Sequence, residues 1–288
     1  MKAEIINYKF KPGLRLEFEM LSIQALYEKH RQLLTSPHRA DFYHILFIRK
    51  GSGTHLIDFQ PVKLVPNSVL FIKKGKVHFF DSSENIEGDL ILFTDNFFCR
   101  NNDDLKFLQS TILFHDLLDN TPLKSGASNK LFNDTIKAMK SELMNQSKEF
   151  HYEILQNHLH NFLMEAHREK RKQGFREMPK GPNLDYTLLF NELLDNHFLT
   201  TKSVKEYADK IHVSEKRLSN ATSAILGKSP KEIINERVIL EAKRLLVHTN
   251  QAIKEIAFLL GFGETTNFIK YFKLQTGNTP TEFRESHL

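Results

Sequence analysis

Thr265 and Thr266 follow Glu264 at the head of a segment in which Phe268, Tyr271 and Phe272 recur at helical spacing. A threonine hydroxyl both donates and accepts hydrogen bonds, so at the exposed first turn of a helix lying in a major groove these side chains can meet base edges. A second group, Arg39, Tyr43, His55, His78 and Phe80, lies among short runs of β-branched and aromatic residues. It combines apolar surface with a few polar groups, the make-up of a small-molecule pocket. Packing in a core is the plainer explanation of the aromatics in a chain with 24 phenylalanines. Neither group completes a catalytic constellation: there is no phosphate-cradling glycine loop, no H-E-x-x-H and no nucleophile elbow. No enzyme activity and no cofactor are expected.

The elements that would position the threonines occur twice. Val204-Lys205-Glu206-Tyr207-Ala208 followed by Gly227-Lys228-Ser229-Pro230 returns as Ile253-Lys254-Glu255-Ile256-Ala257 followed by Gly277-Asn278-Thr279-Pro280. The first segments are offset by 49 residues and the second by 50, so one residue is inserted in the second copy, near Gly263. Ile253, Ile256, Ala257 and Leu260 share one helical face, and Gly261-Phe262-Gly263 breaks the period. Ala257 is small enough for two helices to approach, and Gly261 can take the left-handed conformation that ends a helix. Any two packed helices with a glycine turn resemble one helix-turn-helix. Two copies at one spacing predict a duplicated helix-turn-helix, a reader of duplex DNA. Between them Ile233, Ile234, Val238, Ile239, Ala242, Leu245 and Leu246 form an apolar stripe, which predicts one long helix holding the units apart. That suits two major-groove segments about one helical turn apart. Pro230 and Pro280 are expected to begin helices.

The run from Ala252 through Glu-Ile-Ala, Leu260-Gly261-Phe262, Asn267-Phe268, Tyr271-Phe272-Lys273, Thr276-Gly277, Thr279-Pro280 and Phe283-Arg284 resembles the C-terminal signature of the AraC/XylS family of bacterial transcription regulators. The resemblance covers about residues 184–288. It implies recognition helices from about Ser214 to Leu226 and from about Glu264 to Gln275. It places Lys216, Ser219 and Asn220 in the first, and Thr265, Thr266, Ile269 and Lys270 in the second, where relatives face bases, with Arg217 and Lys273 as phosphate contacts. It also favours activation of transcription over repression, with RNA polymerase as a partner. The first copy departs from the pattern. It carries Ala221-Thr222-Ser223-Ala224 where relatives show an aromatic residue and then basic ones, so a weaker charge and looser packing are expected there.

From Asp41 to Phe93 the texture is that of strands: Phe42–Ile48, Thr54–Phe59, Ser68–Ile72, Val77–Phe80 and Gly88–Phe93. Gly51-Ser52-Gly53, Pro66-Asn67 and Lys74-Gly75-Lys76 read as turns between them, giving an antiparallel barrel or sandwich. The pattern looks like the cupin-type effector domain that precedes this DNA-binding module. Metal-using cupins converge two histidines, a carboxylate and a further histidine on one ion. Here His38 and His44 bracket the first strand and Lys74-Gly75-Lys76-Val77-His78 resembles the second cupin motif. The H-x-H pair is absent and His44 stands where a carboxylate belongs, so no metal site is expected.

Leu131, Ile136, Met139 and Leu143 mark one helix, and Tyr152, Leu155, Leu159, Phe162, Leu163 and Ala166 another, joined through Asn145-Gln146-Ser147-Lys148. One face would cover the barrel and another pair with a second copy, giving a homodimer. Gly174, Pro179, Gly181 and Pro182 mark a linker. The expected fold is therefore α+β. A cupin-like β-barrel with a helical pair (about 128–172) occupies 1–172, a linker 173–183, and an all-α domain with two helix-turn-helix units 184–288.

The net charge of +5 is mostly local. Residues 168–183 hold six basic residues (Arg168, Lys170, Arg171, Lys172, Arg176, Lys180) against Glu169 and Glu177, and read as a solvated face, whereas 184–288 carry 14 basic against 13 acidic. A few placed cations give salt-dependent but limited affinity for DNA, which two protomers on a repeated site would reinforce. No apolar run approaches the roughly 20 residues that cross a bilayer and MKAEIINYKF has no secretory core, so a cytoplasmic location without membrane contact is expected. Cys99 reads as a bystander thiol rather than a redox sensor. The reading is a sequence-specific regulator on double-stranded promoter DNA, responding to a small-molecule effector in the barrel. The alternatives are a cupin-type metalloenzyme with a DNA-binding appendage and a ligand-independent regulator with a filled barrel.

Overall fold

Runs of β-branched and aromatic residues that alternate between two buried faces build the N-terminal half around two long strands. The computed structural model describes residues 5–10, 16–114, 121–144, 149–175 and 178–287. It divides into two compact units, Ile5–Glu177 and the part from Met178 to the C-terminus.

In the first unit β1 (Ile6–Tyr8), β2 (Phe18–Ser22), α1 (Ile23–Thr35) and β3 (His38–Ala40) precede β4 (Tyr43–Ile57), β5 (Gln60–Leu64), β6 (Ser68–Ile72) and β7 (Val77–Phe93). Short helices α2 (Asp95–Phe98) and α3 (Asn102–Ser110), the strand β8 (Leu123–Lys124) and the helices α4 (Asn129–Leu143) and α5 (His151–Lys172) follow. Among the described residues the eight strands form one sheet in the order β1-β3-β7-β4-β6-β8, with β2 also on β7 and β5 also on β4. The strands β4 to β7, which span the segment from Asp41 to Phe93, pair antiparallel as expected, and β1 adds in parallel to β3 at the edge.

One of the expected turns is corrected. Gly51-Ser52-Gly53 lies inside β4, where register shifts at Ile48/Lys50, Lys50/Ser52 and Thr54/His55 bend the ladder with β7 without ending it. An extra residue on one strand of a pair bends that strand and increases its twist. The chain instead reverses at Asp58-Phe59, both at positive φ (47° and 71°), in a two-residue hairpin between Ile57 and Gln60. Pro66-Asn67 and Lys74-Gly75 do turn, with Asn67 and Gly75 at positive φ.

Because successive side chains point to opposite faces, β4 splits between two cores. Tyr43, Ile45 and Phe47 join Phe71, Ile91 and Phe93 under Phe97, Phe98, Phe132, Met139, Leu155 and Phe162 of the helices. Leu46, Ile48 and Ile57 join Leu70, Phe80 and Leu92 on the other face, where Ile23 and Leu34 of α1 pack. Asp89 of β7 is fully buried and ion-paired with Arg49 of β4 and Lys140 of α4, tying sheet to helix. Helices α4 and α5 are antiparallel, with the Phe132 and Phe162 rings 5.0 Å apart at one end and Glu142 3.0 Å from His151 at the other. On α4 the expected stripe is shifted: Leu131 is 49% exposed and Phe132 is buried in its place. The connection Asn145–Lys148 lies outside the described residues, as does Arg176. The solvated basic face is corrected at Lys170, which is buried against the Phe175 ring, while Arg168 and Lys172 pair with Glu165 and Glu169.

The second unit is helical throughout: α6 (Pro182–His197), α7 (Val204–Lys210), α8 (Glu215–Leu226), α9 (Pro230–His248), α10 (Ile253–Leu259), α11 (Thr265–Thr276) and α12 (Pro280–Glu285). Its core gathers Phe190, Tyr207, Ala208, Leu218, Ile234, Val238, Leu246, Ile256, Ala257, Phe268 and Phe272. Pro182, Pro230 and Pro280 each stand at a helix start, where a missing N–H leaves no bond unmade. Arg244, almost fully buried on α9, is held by Glu241 at 2.9 Å.

Candidate nucleic-acid interface and ligand face

The two helix-turn-helix units are α7–α8 and α10–α11. In the first the turn is Ile211–Ser214, with His212 at φ +60°. In the second it is Leu260–Glu264, with Gly261 at φ +76° in the equivalent place and Gly263 as the extra residue. Gly261 is favoured on two grounds. Its φ disfavours a side chain, and a Cβ there would stand 2.0 Å from the Leu199 carbonyl oxygen. Lys202 locks the same corner, donating to the Leu260 carbonyl at 2.5 Å with its ammonium 4.8 Å from the Phe262 ring centroid. Burial and the nearby Lys231 charge push the Lys202 pKa down.

The second helix of each unit starts differently. Ser214 caps α8, accepting from the Arg217 N–H at 3.1 Å, whereas Glu264 precedes α11 without a side-chain cap. Both end in a left-handed glycine, Gly227 and Gly277. Of the residues expected to face DNA, Lys216, Asn220, Thr266, Lys270 and Lys273 are exposed, and Ser219, Thr265 and Ile269 are half-buried. Thr266 donates to the Glu264 carboxylate at 3.3 Å. Arg217 is engaged within the unit: it donates to the Asn183 side chain at 2.7 Å and its guanidinium lies 5.0 Å from the Tyr186 ring centroid. The looser packing expected of the first copy is not found, since Ala221 and Thr222 are fully buried and small side chains suit the close packing of α6 on α8.

In the first unit the five expected ligand residues separate. Tyr43 stacks on Phe93 in the helix-covered core, and Arg39 alternates away from His38 and Ala40, so neither joins the others. His55, His78 and Phe80 do come together: His55 Nε2 is 3.1 Å from His78 Nδ1, and the His55 and Phe80 rings meet edge to face at 4.5 Å. Sequence reasoning had set aside His38 and His44, yet their ring centroids lie 4.3 and 4.5 Å from that of His78. One ring nitrogen from each of His38, His44 and His78 falls within 4.8 Å of the others. Tyr8, 5.4 Å from His38, and Tyr27, 5.4 Å from Phe80, were missed altogether, having no spacing in the sequence that links them to the histidines.

His38, His44, His55 and His78 are between 1% and 6% exposed. Burial, and then mutual repulsion, pushes the pKa values of His44 and His78 well below the ordinary histidine range and that of His55 down to about 3. That of His38 is lowered by burial, partly offset by its bond to the Ser36 carbonyl. All four are neutral imidazoles at neutral pH, each with a lone pair to offer. Cys99 lies apart, in the helix-side core, where burial and then Asp95 and Asp104 push its thiol up to about 11, in keeping with a bystander.

Residues 21–163 match the model of an AraC-like ligand binding domain and residues 207–286 that of a helix-turn-helix domain. The chain is 24% identical over 259 residues to the HTH-type transcriptional activator RhaS of Enterobacter sp. (strain 638), covering 86% of this chain and 87% of that one. It is 24% identical over 254 residues to the protein of the same name from Klebsiella pneumoniae (strain 342), with 86% and 87% covered. The crystal structure of ToxT from Vibrio cholerae O395 aligns with 93% of this chain and 97% of its own at 14% identity and a TM-score of 0.43.

Proposed function

Because the chain belongs to the AraC family of DNA-binding transcription regulators, we propose that it binds promoter DNA sequence-specifically through α8 and α11 and that a ligand on the histidine face of the sheet governs that binding. The observation that carries the reading is the repeated presentation of an exposed polar helix by two helix-turn-helix units with a shared core. α9, with 19 residues, is about 28 Å long, a scale that suits major-groove segments about one helical turn (34–36 Å) apart. Lys216, Ser219 and Asn220, with Thr265, Thr266, Ile269 and Lys270, read bases, and Lys273 neutralises a phosphate. Arg217 does so when its bond to Asn183 is exchanged for one to DNA.

Activation is favoured over repression, since the relatives above are named transcriptional activators, and it would proceed through contact with RNA polymerase. The protein acts in the cytoplasm as a homodimer. Leu131 of α4 and Ile154 and Met164 of α5 are apolar, exposed and turned away from the sheet core, so they supply the self-complementary patch. Among the described residues no helix is long and apolar enough to cross a membrane. Coupling requires only that the ligand favour one presentation of the DNA-binding unit over another.

Selection of genomic fragments by the purified protein, at low and moderate salt, tests the reading. Enrichment of one motif with two half-sites about a helical turn apart is the expected result. Binding with no sequence preference at either salt would overturn it.

A further inference from the structure

The geometry points to a metal site: we infer that His38, His44 and His78 bind one divalent transition-metal ion of the zinc class, with His55 orienting His78 from behind. The three side chains come from β3, β4 and β7, and each offers a ring nitrogen within 4.8 Å of the other two. Nitrogens about 2.0–2.1 Å from a tetrahedral ion lie about 3.3 Å apart, so small rotations of the rings close the set.

The hydrogen bonds around the cluster decide which nitrogens remain. His38 Nδ1 is 2.9 Å from the Ser36 carbonyl oxygen and must donate to it, which leaves Nε2 with its lone pair. His78 Nδ1 is 3.1 Å from His55 Nε2, while His78 Nε2 is buried without a partner. His44 Nδ1 is likewise buried and unpartnered. Buried polar atoms are nearly always satisfied in native proteins, and unpartnered nitrogens on histidines that meet in one cluster mark a missing acceptor of lone pairs. A ligating histidine that donates its other N–H to a carbonyl or a second side chain is the usual supporting arrangement around a metal. His38 with Ser36 and His78 with His55 both have it.

The chemistry of the set selects the ion. Neutral imidazoles suit zinc, nickel, cobalt and copper, and the absence of a carboxylate from the set disfavours magnesium and calcium. Three protein ligands leave a fourth position open, so an oxygen donor on a small molecule can complete the shell. The ion itself rests on the cluster alone. Only its use as the regulatory ligand, or as the anchor for one, rests on the function proposed above.

The test uses the full-length protein stripped with a chelator and titrated with cobalt(II), followed by visible absorption, and with zinc by equilibrium dialysis. One ion per chain, with zinc displacing cobalt, is expected. His38→Ala and His44→Ala should weaken binding at least 100-fold, and His55→Phe about 10–100-fold at unchanged stoichiometry. Replacement of the exposed His30 by Ala should change nothing. Should a buried variant fail to fold, X-ray absorption on the zinc-loaded unaltered protein decides, with three imidazole nitrogens at about 2.0–2.1 Å expected. No saturable ion, a sulfur ligand, fewer than three imidazoles, or folded His38→Ala and His44→Ala variants that bind as before would each overturn the site. Fragment selection by the stripped protein separates the two readings, because motif enrichment without any metal binding removes the ion and leaves the regulator.

Discussion

Replacing Gly261 by alanine should damage the second helix-turn-helix far more than the same change at Gly277, and the difference can be worked from the structure. Both glycines end a helix at positive φ, +76° and +83°, so both variants carry about 1–2 kcal/mol of left-handed strain. A Cβ at Gly277 meets nothing within 4 Å, whereas one at Gly261 stands 2.0 Å from the Leu199 carbonyl oxygen and 3.0 Å from Lys202 Nζ. Ordinary contact requires a retreat of roughly 1.4 Å. The retreating groups are not free, because Lys202 bonds the Leu260 carbonyl and rests over Phe262. Overpacking of this kind costs about 1–3 kcal/mol more. The total for Gly261→Ala is about 2–5 kcal/mol against about 1–2 for Gly277→Ala. At about 4–8 °C per kcal/mol for a unit of this size, the two melting temperatures should differ by roughly 5–20 °C. Thermal unfolding followed by helical circular dichroism measures the gap, and operator binding by Gly261→Ala should fall with it. Equal melting of the two variants would refute the reasoning, since it would show that the Leu199–Lys202 segment yields without resistance.

Thr265→Ala and Thr266→Ala should each lower specific binding by about 1–3 kcal/mol if the hydroxyl meets a base, while Lys273→Ala should weaken all sequences alike and flatten the salt dependence. Equal losses on operator and random DNA for a threonine variant would remove it from the base-reading set. Ala252 occupies an N-cap position with the backbone of Ser229 (φ −64°, ψ 150° against −72°, 155°) but has no oxygen to offer, so Ala252→Ser should stabilise the second unit by about 1 kcal/mol in denaturant titration. An unchanged midpoint would contradict the cap geometry. In the metal-free protein the folded pKa of His55, about 3, lies below its unfolded value near 6.5, and His44 and His78 are shifted the same way. The contribution of His55 is therefore present above pH 6.5 and is lost as pH falls from 6.5 toward 3, on the order of 1 kcal/mol per pH unit, and those of His44 and His78 are lost in the same direction. Stability of the first unit that is flat between pH 7 and 5 would contradict their burial as neutral groups. Ile154→Glu should shift sedimentation toward monomer if the exposed faces of α4 and α5 form the dimer, and an unaltered oligomeric state would move the interface elsewhere.

The duplicated DNA-reading unit was legible because each of its signals is local. Ala257, Gly261, Pro230 and Pro280 act on their own or adjacent turns, and the stripe from Ile233 to Leu246 declares α9 by its period alone. The amphipathic face of α5 was legible for the same reason. Local signals also misled: Gly51-Ser52-Gly53 is turn chemistry by composition, and only pairing with β7 makes it a bulged bend within β4. Leu131 and Phe132 are adjacent and equally apolar, and which of them is buried depends on where α5 lies.

The histidine cluster belongs wholly to the tertiary structure. His44 and His55 are 11 residues apart on one strand, about 36 Å if it ran straight, yet their ring centroids lie 4.5 and 5.2 Å from that of His78. Bulges along β4 bend the sheet, and β3 brings His38 opposite His78 by register. The same alternation sends Tyr43 and Arg39 away from their neighbours. The duplicated reader and its long connecting helix follow from the sequence alone, because helix period, caps and left-handed glycines are properties of neighbouring residues. Which side chains share the ligand face was decided only by strand register and curl, because a shift of one residue reverses every side chain on a strand.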